Sequence, residues 1–112
     1  METITDDQMR SSMAASKPYT VLILKAGPNR HPHDEEQIIW EHGRRNFQLR
    51  ADGRLAIVCP VRDGSDVSGF GIFNLDADQT LELMRDDPAV KAGVFICETH
   101  PARSFPGDFL PG

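Results

Sequence analysis

Three observations predict an α+β fold of the ferredoxin-like βαββαβ type. Four short apolar runs read as strands, two segments between them carry helical periodicity, and the two kinds alternate in that order within about 85 residues. The strands fall at 19–25, 55–61, 69–75 and 94–99, and the helices lie between them. Such an order gives a four-stranded antiparallel sheet with two helices on one face. All four runs are apolar at consecutive positions: Val21 with Leu22, Ile57 with Val58, Ile72 with Phe73, Phe95 with Ile96. The sheet face away from the helices is then apolar as well and needs a cover. The simplest cover is the same face of a second copy related by a two-fold axis. The expected architecture is therefore a dimeric α+β barrel, with the chain itself as the other protein partner.

Each element has its own local reason. Residues 1–17 are polar and unpatterned, with weak helical propensity at Ala14 and Ala15, and are expected to be a flexible arm that trails from the domain or clasps a dimer. Residues 18–112 form the single domain. In the first strand, Tyr19-Thr20-Val21-Leu22-Ile23-Leu24-Lys25, the near-continuous apolar character suits a central position covered on both faces. Gly27-Pro28-Asn29 stops it with turn chemistry. A polar link follows, and the first helix is expected to start at His33 or Asp34, with Glu35 and Glu36 favoured in its first turn by the helix dipole. Asp52-Gly53 ends it, Gly53 supplying the left-handed cap. Pro60 places the second strand near a sheet edge or marks a bulge. The turn at 62–66 makes a hairpin into the third strand. Its Asp63-x-Ser65-Asp66 spacing lacks the further ligands of a calcium loop. Asp76 and Gln79 form a capping box for the second helix, and Pro88 stops that helix at or before Asp87. A tight segment at 88–93 leads into the last strand. The tail from His100 onward, with three prolines and two glycines, reads as irregular, pinned to a surface by Phe105, Phe109 and Leu110.

Composition narrows the function classes. A chain of 112 residues with 39% hydrophobic content is one domain with a compact core. A fold of this length hides only about 60–65% of its extended surface, so pairing with a second copy is a natural way to bury more. The net charge of −5 argues against nucleic acid and anionic membranes as partners. Arg44-Arg45, the only adjacent basic pair, reads as a solvated helix face. No apolar run approaches the ~18 residues of a membrane span, and the acidic N-terminus has no apolar stretch of the secretory type. Cys59 and Cys97 sit in strand-like runs without a Cys-x-x-Cys pattern, so buried free thiols are expected. The expectation is a soluble cytoplasmic protein.

One side chain stands out against this background. On a helical wheel Ile38, Leu49, His42, Asn46 and Ile39 share one arc of roughly 100°. That stripe packs a helix on a sheet and is normally apolar. An imidazole within it faces inward, needs a partner and belongs to the one side-chain type that ordinarily titrates near neutrality. The plainer alternative is a hydrogen-bonded core histidine. Asp87 is the candidate partner, because Pro88 restricts its backbone and it precedes a compact turn where the second helix ends beside the first. A carboxylate there holds one tautomer and raises the ring's basicity, as a general acid or base requires. For Asp87 alone, a capping or turn role is an adequate explanation.

At these residues the sequence resembles the YCII-related, or YciI-like, domain family. The resemblance rests on Glu41-His42, on Asp52-Gly53-Arg54-Leu55 with Pro60 behind it, and on Asp87-Pro88-Ala89-Val90-Lys91-Ala92-Gly93-Val94-Phe95, and covers about 19–99. It implies a dimeric α+β barrel similar to muconolactone isomerases and an active-site dyad made by His42 and Asp87. Val58-Cys59-Pro60 departs from the Ala-Gly-Pro common in the family, so Cys59 is expected to re-line the site beside the second strand. Gly43 is unusual inside a helix, where it costs about 1 kcal/mol relative to Ala. It signals close approach of backbone or ligand, or tolerated strain. Trp40 and Phe47, opposite His42, are expected to pack against the tail or the arm.

Two function classes remain. One is a small-molecule enzyme of the lyase, isomerase or dehalogenase type, with His42 moving a proton, Asp87 orienting it, and Asn46, Arg54 and Cys59 lining the pocket. The other is a non-catalytic small-molecule-binding or accessory dimerisation module. No cofactor is expected, because there is no phosphate-cradling glycine loop and no nucleophile elbow. His31-x-His33 with Asp34 or His100 is too thin a ligand set to predict a metal.

Overall fold

A computed structural model describes residues 2–112. The elements run α1 (Asp6–Ala14), β1 (Lys17–Ala26), α2 (Glu36–Ala51), β2 (Leu55–Pro60), β3 (Val67–Phe73), α3 (Ala77–Arg85), α4 (Pro88–Lys91) and β4 (Phe95–Ser104). The four strands are antiparallel in the order β2-β3-β1-β4. The domain is an α+β ferredoxin-like sheet with its helices on one face. The core between α2, α3, α4 and that face is built on Leu22, Leu24, Leu49, Phe73, Met84 and Ala89. No helix among the described residues is long and apolar enough to cross a membrane.

Local chemistry accounts for several boundaries. Asp76 accepts from the Gln79 backbone N–H at 2.7 Å while the Gln79 side chain accepts from the Asp76 N–H, closing the capping box of α3. Gly53, after α2, has φ +76°, the left-handed geometry that glycine adopts without strain. Pro60 is the last residue of β2, an edge strand. Gly27 cannot carry a side chain, because a Cβ there would lie 2.3 Å from the Gly93 carbonyl oxygen. That close approach docks the turn after β1 onto the segment behind Asp87, where Asn29 Nδ2 donates to the Ala92 carbonyl at 2.9 Å.

Three sequence expectations need correction. The unpatterned residues of the arm contain α1, started by a capping box between Thr5 and Gln8. None of its residues is buried, so the cap, and not an apolar stripe, carries its signal. Helix α2 begins at Glu36, not at His33 or Asp34, and Glu35 gives it no side-chain cap. The Glu35 carboxylate instead turns back to the Arg30 guanidinium and accepts from the His31 backbone N–H at 2.9 Å. The last strand does not end at Thr99 but continues through Pro101 to Ser104, Pro101 lying opposite Thr20. Strand β4 is a sheet edge, where a missing backbone donor is tolerated.

Strand pairing also sorts the side chains by face. Thr20, Leu22 and Leu24 point to the helices and are buried, whereas Val21, Ile23, Ile72, Ile57 and Phe70 share the outer face. On β1, β2 and β3 that face is apolar and half-exposed, as the doubly apolar strand runs require, and along β4 it carries Glu98 and His100.

Candidate active site

The inner stripe of α2 places His42 against β4 and the Asp87 turn. The imidazole is buried, 8% exposed, and stands edge-on to Phe95 at 5.0 Å between centroids. Its Nδ1 lies 2.9 Å from both oxygens of Asp87, which is wholly buried. A carboxylate can only accept, so Nδ1–H is the donor and Nε2 carries the lone pair. The Asn46 side-chain Nδ2, one helical turn away, donates to Nε2 at 3.1 Å. Asp87 and Asn46 thus favour the same tautomer, and the ring nitrogen that carries the lone pair is the one facing Asn46.

Asp87 serves two structures at once. As the residue before α4 it accepts from the backbone N–H groups of Ala89 at 3.0 Å and Val90 at 3.2 Å through Oδ2. The capping role and the partner role that the sequence left as alternatives are both realised. Pro88 at the first helical position suits this arrangement, because it has no N–H to satisfy.

Arg45 adds a positive charge beside Asp87 and does not lie on a solvated face. Its side chain is largely buried, with one terminal nitrogen donating to the Leu83 carbonyl at 2.6 Å and the other 3.8 Å from Asp87 Oδ1. That second nitrogen is buried without a hydrogen-bond partner. The preceding Arg44 is the solvated member and pairs with Glu41. The signal for Arg45 was its place one residue from the inner stripe, three positions after His42.

A cavity of about 230 Å³ opens beside the ring, bounded by α2, by the ends of β2 and β3, and by Phe95. His42, Asn46, Cys59 and Ser68 are its polar lining residues; Leu24, Ile39, Val58 and Phe95 are among the apolar ones. Among the described residues, no Asp, Glu, Lys or Arg lines it. Cys59 borders the cavity at the sheet edge but pairs with Phe70, which puts its side chain on the outer face. Arg54 does not join the site. It is exposed and lines a separate depression with Asp78, Glu82 and Asp86. Cys97, on the inner face, has its thiol pushed up to about 11 by burial and by the negative charge of Asp87. It is a neutral packing group at ordinary pH. Among the described residues no three His, Cys, Asp or Glu side chains converge as a metal site would need.

The other side of α2 also departs from expectation. Trp40 and Phe47 pack against neither tail nor arm; they are 66% and 54% exposed. They line a surface depression of about 760 Å³ with Pro32, Ile39 and Gly43. Around Gly43 itself a built Cβ meets nothing within 4 Å, so no backbone approach explains this glycine.

No protein-family model matches the chain, and no curated protein is significantly similar to it. Among solved structures, the chain is similar to 5-chloro-2-hydroxyhydroquinone dehydrochlorinase from Burkholderia phenoliruptrix AC1100, determined in complex with 2,5-dihydroxybenzoquinone. The identity is 16%, covering 73% of this chain and 90% of that one, with a TM-score of 0.48.

Proposed function

We propose that this chain is a YciI-like small-molecule enzyme that works by acid–base proton transfer at His42, of the lyase, isomerase or dehalogenase type. The observation that carries this reading is the buried His42–Asp87 pair at 2.9 Å, with the opposite ring nitrogen at a cavity free of fixed charge. In the reaction, Nε2 takes a proton from a carbon or oxygen acid. The imidazolium so formed keeps its Nδ1–H on the Asp87 carboxylate, which balances the new charge without moving. Asn46, displaced from Nε2, is within reach to donate its amide N–H to the oxygen anion left on the substrate. Return of the proton to another atom gives isomerisation, and departure of a leaving group gives elimination.

The test uses phenylacetone, a neutral enolisable ketone, and follows deuterium uptake at its α-carbon in D2O by NMR. The expected result is catalysed exchange that falls by at least about 100-fold in His42→Gln. Equal exchange in the variant, or none above buffer in the native protein, overturns the reading. The alternative, a non-catalytic binding or accessory module, draws support from the capping duty of Asp87, which by itself explains that residue. It predicts that His42→Gln lowers stability and changes no rate.

The same proposal includes a dimer. A second copy covers Val21, Ile23, Phe70 and Ile72 on the outer sheet face and completes an α+β barrel. Analytical ultracentrifugation should find a dimer, and Ile23→Asp should yield a monomer that keeps its far-UV circular dichroism.

A further inference from the structure

Gly43 is left unexplained by the acid–base pair, by packing and by turn geometry. It sits mid-helix, where glycine weakens α2 relative to alanine. The structure removes the structural excuse, since the space a methyl group would fill is empty. Two depressions meet at this residue. Ile39, Gly43 and Phe47, spaced four apart on one stripe of α2, line both the inner cavity at His42 and the outer depression beneath Trp40. The stripe is a ridge between them, and Gly43 is its low point.

The chemistry of the two sides matches one kind of ligand. The inner cavity has room for roughly seven or eight waters' worth of volume, the size of one substituted six-membered ring. It holds no fixed charge. The outer depression is larger and mostly apolar, and the two arginines in its lining are neutralised, Arg30 by Glu35 and Arg44 by Glu41. Neither side offers an uncompensated positive charge to a carboxylate or a phosphate, and Glu36, in the outer lining, adds a carboxylate that would repel an anion.

We infer that the site takes a single elongated, non-anionic molecule that crosses α2 through the notch at Gly43. Its ring-sized, proton-bearing head lies at His42 and its apolar tail lies against Trp40 and Phe47. This assignment rests on the acid–base reading for the role of the head only; the crossing itself stands on the shared lining. Gly43 is then a specificity-determining residue, kept small so that the tail can pass.

The experiment compares phenol, a head alone, with 4-phenylphenol, a head with a tail. Trp40 is the chain's only tryptophan, so its fluorescence reports the outer depression, while the His42 ring resonances report the inner cavity. In the native protein 4-phenylphenol should move both signals with one saturation curve, and phenol should move only the His42 signals. Gly43→Ala and Gly43→Leu should melt at or above the native temperature yet bind 4-phenylphenol at least about tenfold and hundredfold more weakly, with phenol changed less than twofold. Undiminished 4-phenylphenol binding in both variants overturns the inference. So does equal loss of phenol, a response confined to one reporter, or no binding of 4-phenylphenol up to its solubility. Tighter binding of 4-phenylbenzoate than of 4-phenylphenol overturns the exclusion of anions. Crossing of Gly43 without His42-dependent exchange would remove the acid–base reading and leave this one, and the converse result would do the reverse.

Discussion

Two histidine–carboxylate pairs occur among the described residues, and by distance alone the wrong one looks stronger. His100 Nε2 lies 2.7 Å from Glu98 on the outer face of β4, whereas His42 Nδ1 lies 2.9 Å from Asp87 under α2. The first pair is about half-exposed on both partners; the second is 10% and 0% exposed. Glu98 is held below the ordinary carboxylate range by its bond to His100 and by Lys25 at 3.3 Å, yet in the single protomer both contacts are open to water and salt. Asp87 has no water to fall back on and is held by His42, by two backbone N–H groups of α4 and by the nearby Arg45 charge. A short contact between opposite polarities is cheap at a surface. A pair becomes a candidate for chemistry when burial makes its partners obligatory and a cavity reaches its remaining atom.

The largest expected difference between the two regions is in stability. Asp87→Ala removes the ring's partner and both capping bonds and should cost about 3–5 kcal/mol in urea denaturation. Asp87→Asn, which keeps an acceptor for α4, should cost less. Glu98→Gln, made in the Ile23→Asp monomer, should leave the urea midpoint of that monomer where it is. Equal effects of Asp87→Ala and Glu98→Gln would break the comparison outright.

A second prediction concerns how far the buried charge reaches. The Cys97 thiol is raised from 9.0 to about 11, by burial first and by Asp87 second. Its neutral form is favoured by folding. The stability it contributes is therefore complete below pH 9 and lost as pH rises toward 11, where the unfolded chain ionises before the folded one. Because the thiol is only partly buried, the loss should stay below about 2 kcal/mol. Denaturation at pH 8 and pH 10.5 should show it in the native protein and not in Cys97→Ala, and Asp87→Asn should shrink it. Gly43→Ala, by contrast, should raise stability by about 0.5–1 kcal/mol, since it fills empty space on a helix; a destabilised Gly43→Ala would mean an unseen close contact. The smallest effect is ionic. In the Ile23→Asp monomer, raising salt to ~1 M should loosen His100 from Glu98, seen in the His100 ring shifts, and leave the His42 resonances in place.

Different parts of this structure were legible to different degrees. Asp76 with Gln79, Gly53 and Pro60 act through their own backbone neighbours, so their roles could be read directly. Thr5 and Gln8 carried the same kind of signal for α1, but the segment has no apolar stripe to draw attention to it. Pro101 concealed the end of β4, because a proline is compatible with a strand only if that strand is an edge, and edge position is a property of the assembled sheet. Arg54 reads like a site residue from its place beside the second strand, yet it faces a different depression. Arg45 reads like a surface charge and lies against Asp87. Trp40 and Phe47 read like buried aromatics and are exposed.

Periodicity along the chain was enough to order the strands and helices, to make both sheet faces apolar, and to turn His42 inward, because each of these depends on residues a few positions apart. Contact between His42 and Asp87, 45 positions apart, required α2 to pack on the sheet at one rotation and α4 to begin where it does. The occupation of Nε2 by Asn46, the recruitment of Arg45 and the meeting of two depressions at Gly43 follow from that rotation. A few degrees of helix roll move each of those side chains by ångströms, and only the packed core sets the roll.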